Sequence, residues 1–379
     1  MIKALLAGPY PYIGQKITGG ASAVVFNLHH GFYKYGNKVS IKVLSGTPEA
    51  KEDYEIHENI IYIKKPKKAI GSTFLSMYPF RIKSQIRKIE FDVINAHSLD
   101  FAYYGITEKK ADNLVFTLHG VTWEEKKYLS KWSQIGWDIL YVKRLKKALD
   151  NLKYLIAINP YVRDVVKGKT KATIFDIPNP VPEPLFELPT NITKENRMFY
   201  IGIIGKRKNL FNLIKALPHV KKEVKDFKLV VAGKVRDKTY FEQIQKYIIK
   251  YELSNNVEFL GTIDEEKKYE EFSKMSFLIL PSFQETAPMV ISEAFAAGKP
   301  VIASNVGGTQ YMTGDNERGL LIDPFDEMDI AEKILYFLEN PDEAKKMGRK
   351  AKRYAEIEHS LKNVIKRYEV AYEEISNQT

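Results

Sequence analysis

Two glutamates, Glu285 and Glu293, stand eight residues apart in the run PSFQETAPMVISEAFAAGKPVIAS, from Pro281 to Ser304. Three and four positions from Glu293 on a helix lie Met289, Val290, Ala296 and Ala297, so its carboxylate meets apolar or small neighbours. Such a carboxylate is costly to desolvate unless a donor hydrogen-bonds to it. A ligand with vicinal hydroxyls would supply that donor, and so would a lysine or a backbone N–H. Glu285 falls in the loop after the apolar run Phe277–Leu280, at the carboxyl end of an expected strand. Pro288 suits the first turn of the helix that follows and Gly298 its end. Pro288, Met289 and Val290 then mark a helix N-terminus able to face a phosphate or sugar oxygen.

A second set of residues could hold an anion. Tyr200–Leu217 reads YIGIIGKRKNLFNLIKAL: a strand, then Lys206, Arg207 and Lys208, then Asn209 as a candidate N-cap. Arg207 offers a fork to phosphate and Lys208 a point charge. Two glycine pairs, Gly19-Gly20 and Gly307-Gly308, stand at strand-to-helix turns, where missing side chains let backbone N–H groups approach a phosphate. His97 in DVINAHS and His119 in VFTLHGVTWEE each follow a strand. His119 is the better candidate for chemistry, because Gly120 and an acidic, aromatic loop follow it. The chain has no D-x-D triplet, no metal-ligand cluster of histidines and carboxylates, and no G-x-S-x-G. Metal catalysis and serine hydrolysis therefore have no support. No metal is expected, and the phosphates would be met by Arg207, Lys208 and helix dipoles.

These residues need strand ends to carry them, and the pattern supplies strands. Short apolar runs alternate with amphipathic stretches in both halves. The expected strands are Ile2–Ala7, Val39–Leu44, Ile60–Ile63, Val93–Ala96, Val115–Leu118 and Tyr154–Ile158. In the second half they are Phe199–Ile204, Lys228–Ala232, Val257–Leu260, Phe277–Leu280, Val301–Ala303 and Gly319–Ile322. This alternation implies α/β architecture, with parallel sheets covered on both faces. At 379 residues the chain exceeds one ordinary core. Pro178, Pro180, Pro182, Pro184 and Pro189 read as an extended connection. Two doubly wound, Rossmann-like domains follow, residues 1–185 and 186–359, expected to face a cleft with ligands at the strand ends. The helical stretch within 360–379 is expected to pack back on the first.

Charge divides unevenly. Residues 1–185 carry 28 Lys+Arg against 17 Asp+Glu, while the remainder balances at 30 against 30. A basic half suits an anionic partner. Lys131–Lys153 holds Trp132, Trp137 and Tyr141 with Lys143, Arg144, Lys146 and Lys147, a mix suited to an anionic membrane surface, or to an ordinary helix packed on its apolar side. There is no cysteine, which excludes disulfides and thiolate metal sites. The N-terminal MIKALLAGPYPYIG reads as a strand rather than a signal peptide, so the cytoplasm is the expected location, with a peripheral place at the membrane's inner face.

The pattern resembles the retaining glycosyltransferases of the GT-B fold, glycosyltransferase family four, over nearly the whole length. It is carried by GGASAVVFNLHHGFYKYGNKVSI, the strand ends at His97 and His119, IPNPV at Ile177–Val181, RKN at Arg207–Asn209, and above all an E-x7-E signature at Glu285 and Glu293. The resemblance implies a hexosyltransferase that uses a nucleotide-diphosphate sugar as substrate, without cofactor or metal, and a glycan or lipid-linked acceptor. It implies that Glu293 binds ribose hydroxyls, Glu285 lies by the donor sugar, Arg207 and Lys208 hold the diphosphate, Gly20 approaches it and His119 sits near the reacting carbon. Three positions depart from the family: Ile203 stands where an arginine is common, Tyr311 where a glutamate is, and Thr286 where a glycine is. Rival readings are a sugar-nucleotide epimerase of related fold, a binding subunit without catalysis, and a basic protein that binds membrane or nucleic acid. No aromatic-basic recognition module supports nucleic acid as a partner.

Overall fold

The computed structural model describes residues 1–17, 19–67, 77–108, 111–128, 131–189 and 196–378. The chain forms two compact α/β units, one of Met1–Pro180 with Leu361–Thr379 and one of Val181–Ser360.

The first unit is built on β1 (Ile2–Ala7), β2 (Val39–Thr47), β3 (Tyr54–His57), β4 (Ile60–Lys64), β5 (Val93–Ala96), β6 (Leu114–Leu118), β7 (Tyr154–Ala157) and β8 (Thr173–Asp176), in the order β3-β4-β2-β1-β5-β6-β7-β8. All neighbours pair in parallel except β3, which runs antiparallel to β4. β3 and β8, the two edges, were not expected from the sequence. The strand order reverses between β1 and β5. Residues 361–377 form a helix against the helix Gly20–Tyr35. Glu369 accepts from the N–H groups of Asn37 and Lys38, Asn95 donates to the Tyr372 hydroxyl at 2.8 Å, and Phe32 stacks on Tyr372.

The second unit has six parallel strands: β9 (Arg197–Ile201), β10 (Lys228–Ala232), β11 (Val257–Gly261), β12 (Phe277–Leu280), β13 (Val301–Ser304) and β14 (Gly319–Ile322). Their order is β11-β10-β9-β12-β13-β14, that of a Rossmann sheet, so the switch point lies between β9 and β12. Alternation fills both faces. Met198, Tyr200, Leu229, Val231, Phe277 and Ile279 point into one core. Phe199, Val230, Ala232, Leu278 and Leu280 point into the other. The proline-rich connection is less extended than its composition suggests. Val181 and Leu185 are fully buried in the second core, Val181 bridges to Ser360, and Glu183–Leu185 form a 3-10 turn. Thus Val181–Leu185, read from the sequence with the first half, pack with the second.

Candidate active site

In the second unit the candidate side chains gather at the switch point. After β9 the chain makes a one-turn 3-10 helix, Lys206–Lys208, and after β12 comes the loop from Pro281 to Pro288. The two loops are tied together. Arg207 donates through Nη1 to the Gln284 carbonyl (2.9 Å) and to Gln284 Oε1 (3.1 Å), and Phe283 N–H donates to the Arg207 carbonyl. Lys208 Nζ lies 2.5 Å from Glu285 Oε1, and Glu285 is only 6% exposed. Arg207 thus braces the loop that carries Glu285, while Lys208 neutralises it. Ile203, where the family often has arginine, points an exposed apolar side chain and adds no cation here.

Asn209 departs from expectation. It adopts a left-handed conformation (φ 53°) and does not cap the helix Leu210–Glu223. Its buried amide instead donates to the carbonyls of Pro281 and Pro324 at 2.9 and 2.8 Å. Those carbonyls sit at the ends of other strands, and satisfying buried acceptors outweighs a cap worth about 1 kcal/mol.

Glu293 lies on the helix Met289–Ala296, which ends in a Schellman turn: Gly298 (φ 71°) donates to Phe295 O and Lys299 N–H to Ala294 O. Pro288 precedes the helix rather than starting it, and no side chain caps it. The N–H groups of Met289 and Val290 therefore have no intrahelical acceptor. The Glu293 carboxylate does not depend on a ligand for its partner. Lys268 Nζ, from the helix Glu265–Lys274, lies 3.0 Å from Glu293 Oε1 and 2.8 Å from Glu265 Oε2. Burial opposes the Lys268 charge, but the Glu293 and Glu265 carboxylates more than offset it, and its pKa lies above the ordinary lysine range. A sequence reading could not have named Lys268, because it precedes Glu293 by 25 positions and only the fold joins them. Gly307 (φ 55°) and Gly308 follow β13, and Gly308 N–H points at the Glu285 carbonyl at 3.3 Å.

In the first unit the switch point carries His97. Its N–H donates to Ala7 O at 2.7 Å, and a Cβ on Gly8 would come within 2.7 Å of the His97 Cβ, so glycine is required there. His97 Nδ1 and His119 Nε2 are 2.9 Å apart and the rings stack. His97, the weaker candidate by sequence, is thus the immediate partner of His119. Gly19 (φ 87°) precedes the helix begun by Gly20, and both are exposed, with no side-chain cap.

Burial pulls both imidazoles toward the neutral form, His119 to about 4 and His97 well below the usual range, His119 adding to the latter effect. An unfolded histidine takes up a proton near pH 6.5, the folded ones do so only at lower pH, and stability is therefore lost as pH falls from about 6.5. By pH 5 His119 alone should cost about 2 kcal/mol, and His97 acts in the same direction. Urea midpoints at pH 7 and pH 5 check this, and His119→Asn should flatten the slope.

The basic stretch of the first unit has an ordinary packing account. Leu145, Ala148 and Leu149 are buried, Trp137 donates to the Thr122 carbonyl and lies tilted against the Tyr141 ring, and Arg144 lies over the Tyr103 ring. Lys143, Lys146 and Lys147 are exposed. The Trp132 side chain lies outside the described residues. Among the described residues no helix is long and apolar enough to cross a membrane, and no group of three or more histidine and carboxylate side chains is placed to hold a metal.

Known proteins share this architecture. Residues 18–183 match the model of Glycosyltransferase Family 4, and residues 186–354 match that of glycosyl transferases group 1. An uncharacterized glycosyltransferase of Methanocaldococcus jannaschii is 27% identical over 97% of both chains. A D-rhamnosyltransferase of Pseudomonas aeruginosa is 23% identical over 91% of this chain and 90% of that protein. Among solved structures, sucrose-phosphate synthase of Thermosynechococcus elongatus superposes over the whole of both chains with a TM-score of 0.83 at 20% identity. A protein of Anabaena in complex with UDP-glucose superposes with a TM-score of 0.76 at 16% identity, over 99% of this chain and all of that one. With one family model on each unit and the two Rossmann-like sheets that carry them, the chain belongs to the GT-B glycosyltransferases of family-four type.

Proposed function

We propose that this glycosyltransferase takes a hexose-type sugar from a nucleotide-diphosphate donor and transfers it, with retention and without a metal, to a glycan or lipid-linked acceptor. The observation that carries the reading is the bracing of the β9 and β12 loops, which brings Lys208 onto Glu285 at the switch point of the second sheet. Ligands of open α/β sheets bind at that point. The UDP-glucose bound to the Anabaena protein of like fold supports the same class of donor. Lys208, with Arg207, faces the diphosphate; Glu293 accepts from the ribose hydroxyls; Pro288, Met289 and Val290 offer a helix N-terminus. Gly19 and Gly20 are the proposed backbone donors of the first unit.

In the transfer, the bond from the anomeric carbon to the diphosphate oxygen breaks, and a bond to the acceptor oxygen forms on the same face. The acceptor's hydroxyl proton passes to the departing phosphate oxygen. Charge grows on that oxygen, and preset cations and N–H groups stabilise it without reorganisation. His119, neutral at pH 7, suits hydrogen bonding to the sugar, and Glu285 suits holding it. An anionic lipid surface beside Lys143, Lys146 and Lys147 would bring a lipid-linked acceptor close. Equal sedimentation with neutral and anionic vesicles at low salt would remove that part.

A thermal-shift screen with UDP-glucose, GDP-mannose and dTDP-glucose tests the donor. A ligand that binds only the folded state at 100 times its Kd stabilises by about 2.7 kcal/mol. One nucleotide sugar should raise the melting temperature in wild type and fail to do so in Glu293→Ala. A flat response to every nucleotide sugar sinks the reading.

A further inference from the structure

The buried site at position 97 holds an imidazole that packing does not call for. His97 is 3% exposed, and its Nε2 is sealed off with no hydrogen-bond partner. A buried polar atom left unpaired costs stability, and folded proteins keep few of them. Leucine would fill a site of this size without that cost. What the ring gains is a single bond, between its Nδ1 and His119 Nε2, at 2.9 Å.

His97 is itself firmly held. It directly follows β5, where the strand order reverses, its N–H donates to Ala7 O, and it packs against Gly8. His119 is held by less. It directly follows β6 and is half-buried, and among the described residues His97 is the one side chain that hydrogen-bonds to its ring. The last torsion of a histidine side chain is broad and roughly two-fold, so an imidazole without a partner has more than one orientation open to it. Which ring nitrogen carries the proton is set by the bond that the other nitrogen makes. Burial keeps both rings neutral at pH 7, so the pair shares one N–H across the contact. With Nε2 of His119 taken up by His97, Nδ1 is the nitrogen left for a ligand.

We propose that His97 is the positioning residue for His119: it fixes the orientation and the tautomer of that imidazole, so that Nδ1 meets the donor sugar as donor or as acceptor and not as both. The inference rests on the role given to His119 above. His97 touches no substrate in this scheme. Its Nε2 is left without a partner because the ring is placed for the sake of Nδ1.

Two variants separate positioning from packing. His97→Leu fills the site and removes Nδ1. His97→Asn leaves a gap but keeps a hydrogen-bonding atom in the place of Nδ1, since each is bonded directly to Cγ. Packing alone ranks leucine above asparagine, and positioning reverses that order for turnover. Release of nucleoside diphosphate from the nucleotide sugar that most stabilises wild type should slow about a hundred-fold in His97→Leu, the effect of a misplaced group, and by less than about ten-fold in His97→Asn. Affinity for the nucleoside diphosphate alone should be unchanged in both. NMR of the ring nitrogens in histidine-labelled protein needs no ligand: His119 should show one protonated and one bare nitrogen in wild type, and shifts averaged between the two in His97→Leu. Turnover that ranks leucine above asparagine overturns the proposal, as do His119 nitrogen shifts that His97→Leu leaves unchanged. If wild type responds to no nucleotide sugar, the role of His119 at the sugar falls, and the NMR comparison alone decides whether His97 fixes the ring.

Discussion

Lys268→Met should destabilise the second unit by about 3 kcal/mol, whereas Glu293→Ala should cost the fold far less and weaken donor binding sharply. The asymmetry follows from who keeps a partner. Lys268 bridges Glu293 and Glu265, and Glu265 is well exposed, so losing Glu293 leaves the lysine paired. Glu293 is 4% exposed, and losing Lys268 leaves a buried carboxylate without its cation. Urea unfolding of both variants at pH 7 and pH 5 gives the answer. On the role proposed above for Glu293, losing charge-assisted bonds to two ribose hydroxyls amounts to about 3 kcal/mol, or roughly a hundred-fold in affinity. Equal destabilisation by the two substitutions would show that Lys268 is not the counter-ion holding Glu293 charged.

The second large effect is expected from one methyl group. Gly233 follows β10 with φ 145°, its N–H donates to Gly261 O at 2.7 Å, and Gly202 N–H donates to Ala232 O at 2.9 Å. A Cβ at Gly233 would overlap the carbonyl oxygen of Gly202, a backbone atom that has no rotamer in which to escape. Gly233→Ala must therefore push apart the β9 and β10 ends that support Lys208. We expect a loss of about 4 kcal/mol or more, and transfer activity to go with it. Gly205→Ala is the control, since its Cβ would meet nothing within 4 Å and its φ of −174° is ordinary extended backbone. Similar urea midpoints for the two variants would contradict the close approach.

Much of this molecule is legible in the sequence, and the failures have physical causes. Strands buried on both faces appear as apolar runs, which is why β5, β6, β12 and β13 can be read directly. β3 and β8 are edges. Their residues are mostly exposed or half-buried, with Ile56 69% exposed, so no apolar run announces them. Val181 and Leu185 lie hidden among prolines, whose composition says loop although the two apolar side chains are core. Asn209 obeys a tertiary demand, two proline carbonyls, over its local preference for capping. The acidic pair and the cation loop are legible because their spacing is local. The lysines that neutralise the pair are not, since Lys208–Glu285 and Lys268–Glu293 exist only after β9 meets β12 and the helix Glu265–Lys274 docks.

The helix of residues 361–377 has a consequence for how the protein is made. The second unit is one unbroken stretch of chain, so a ribosome can release every residue it needs before synthesis ends. The first unit begins earlier but waits longer, because Ile365 must close over Gly31, Glu369 must receive two amide protons beyond Tyr35, and Tyr372 must reach Asn95. The half translated first is thus completed last. A premature stop shortly after codon 360 would spare the unit just finished and cripple the one that emerged at the start.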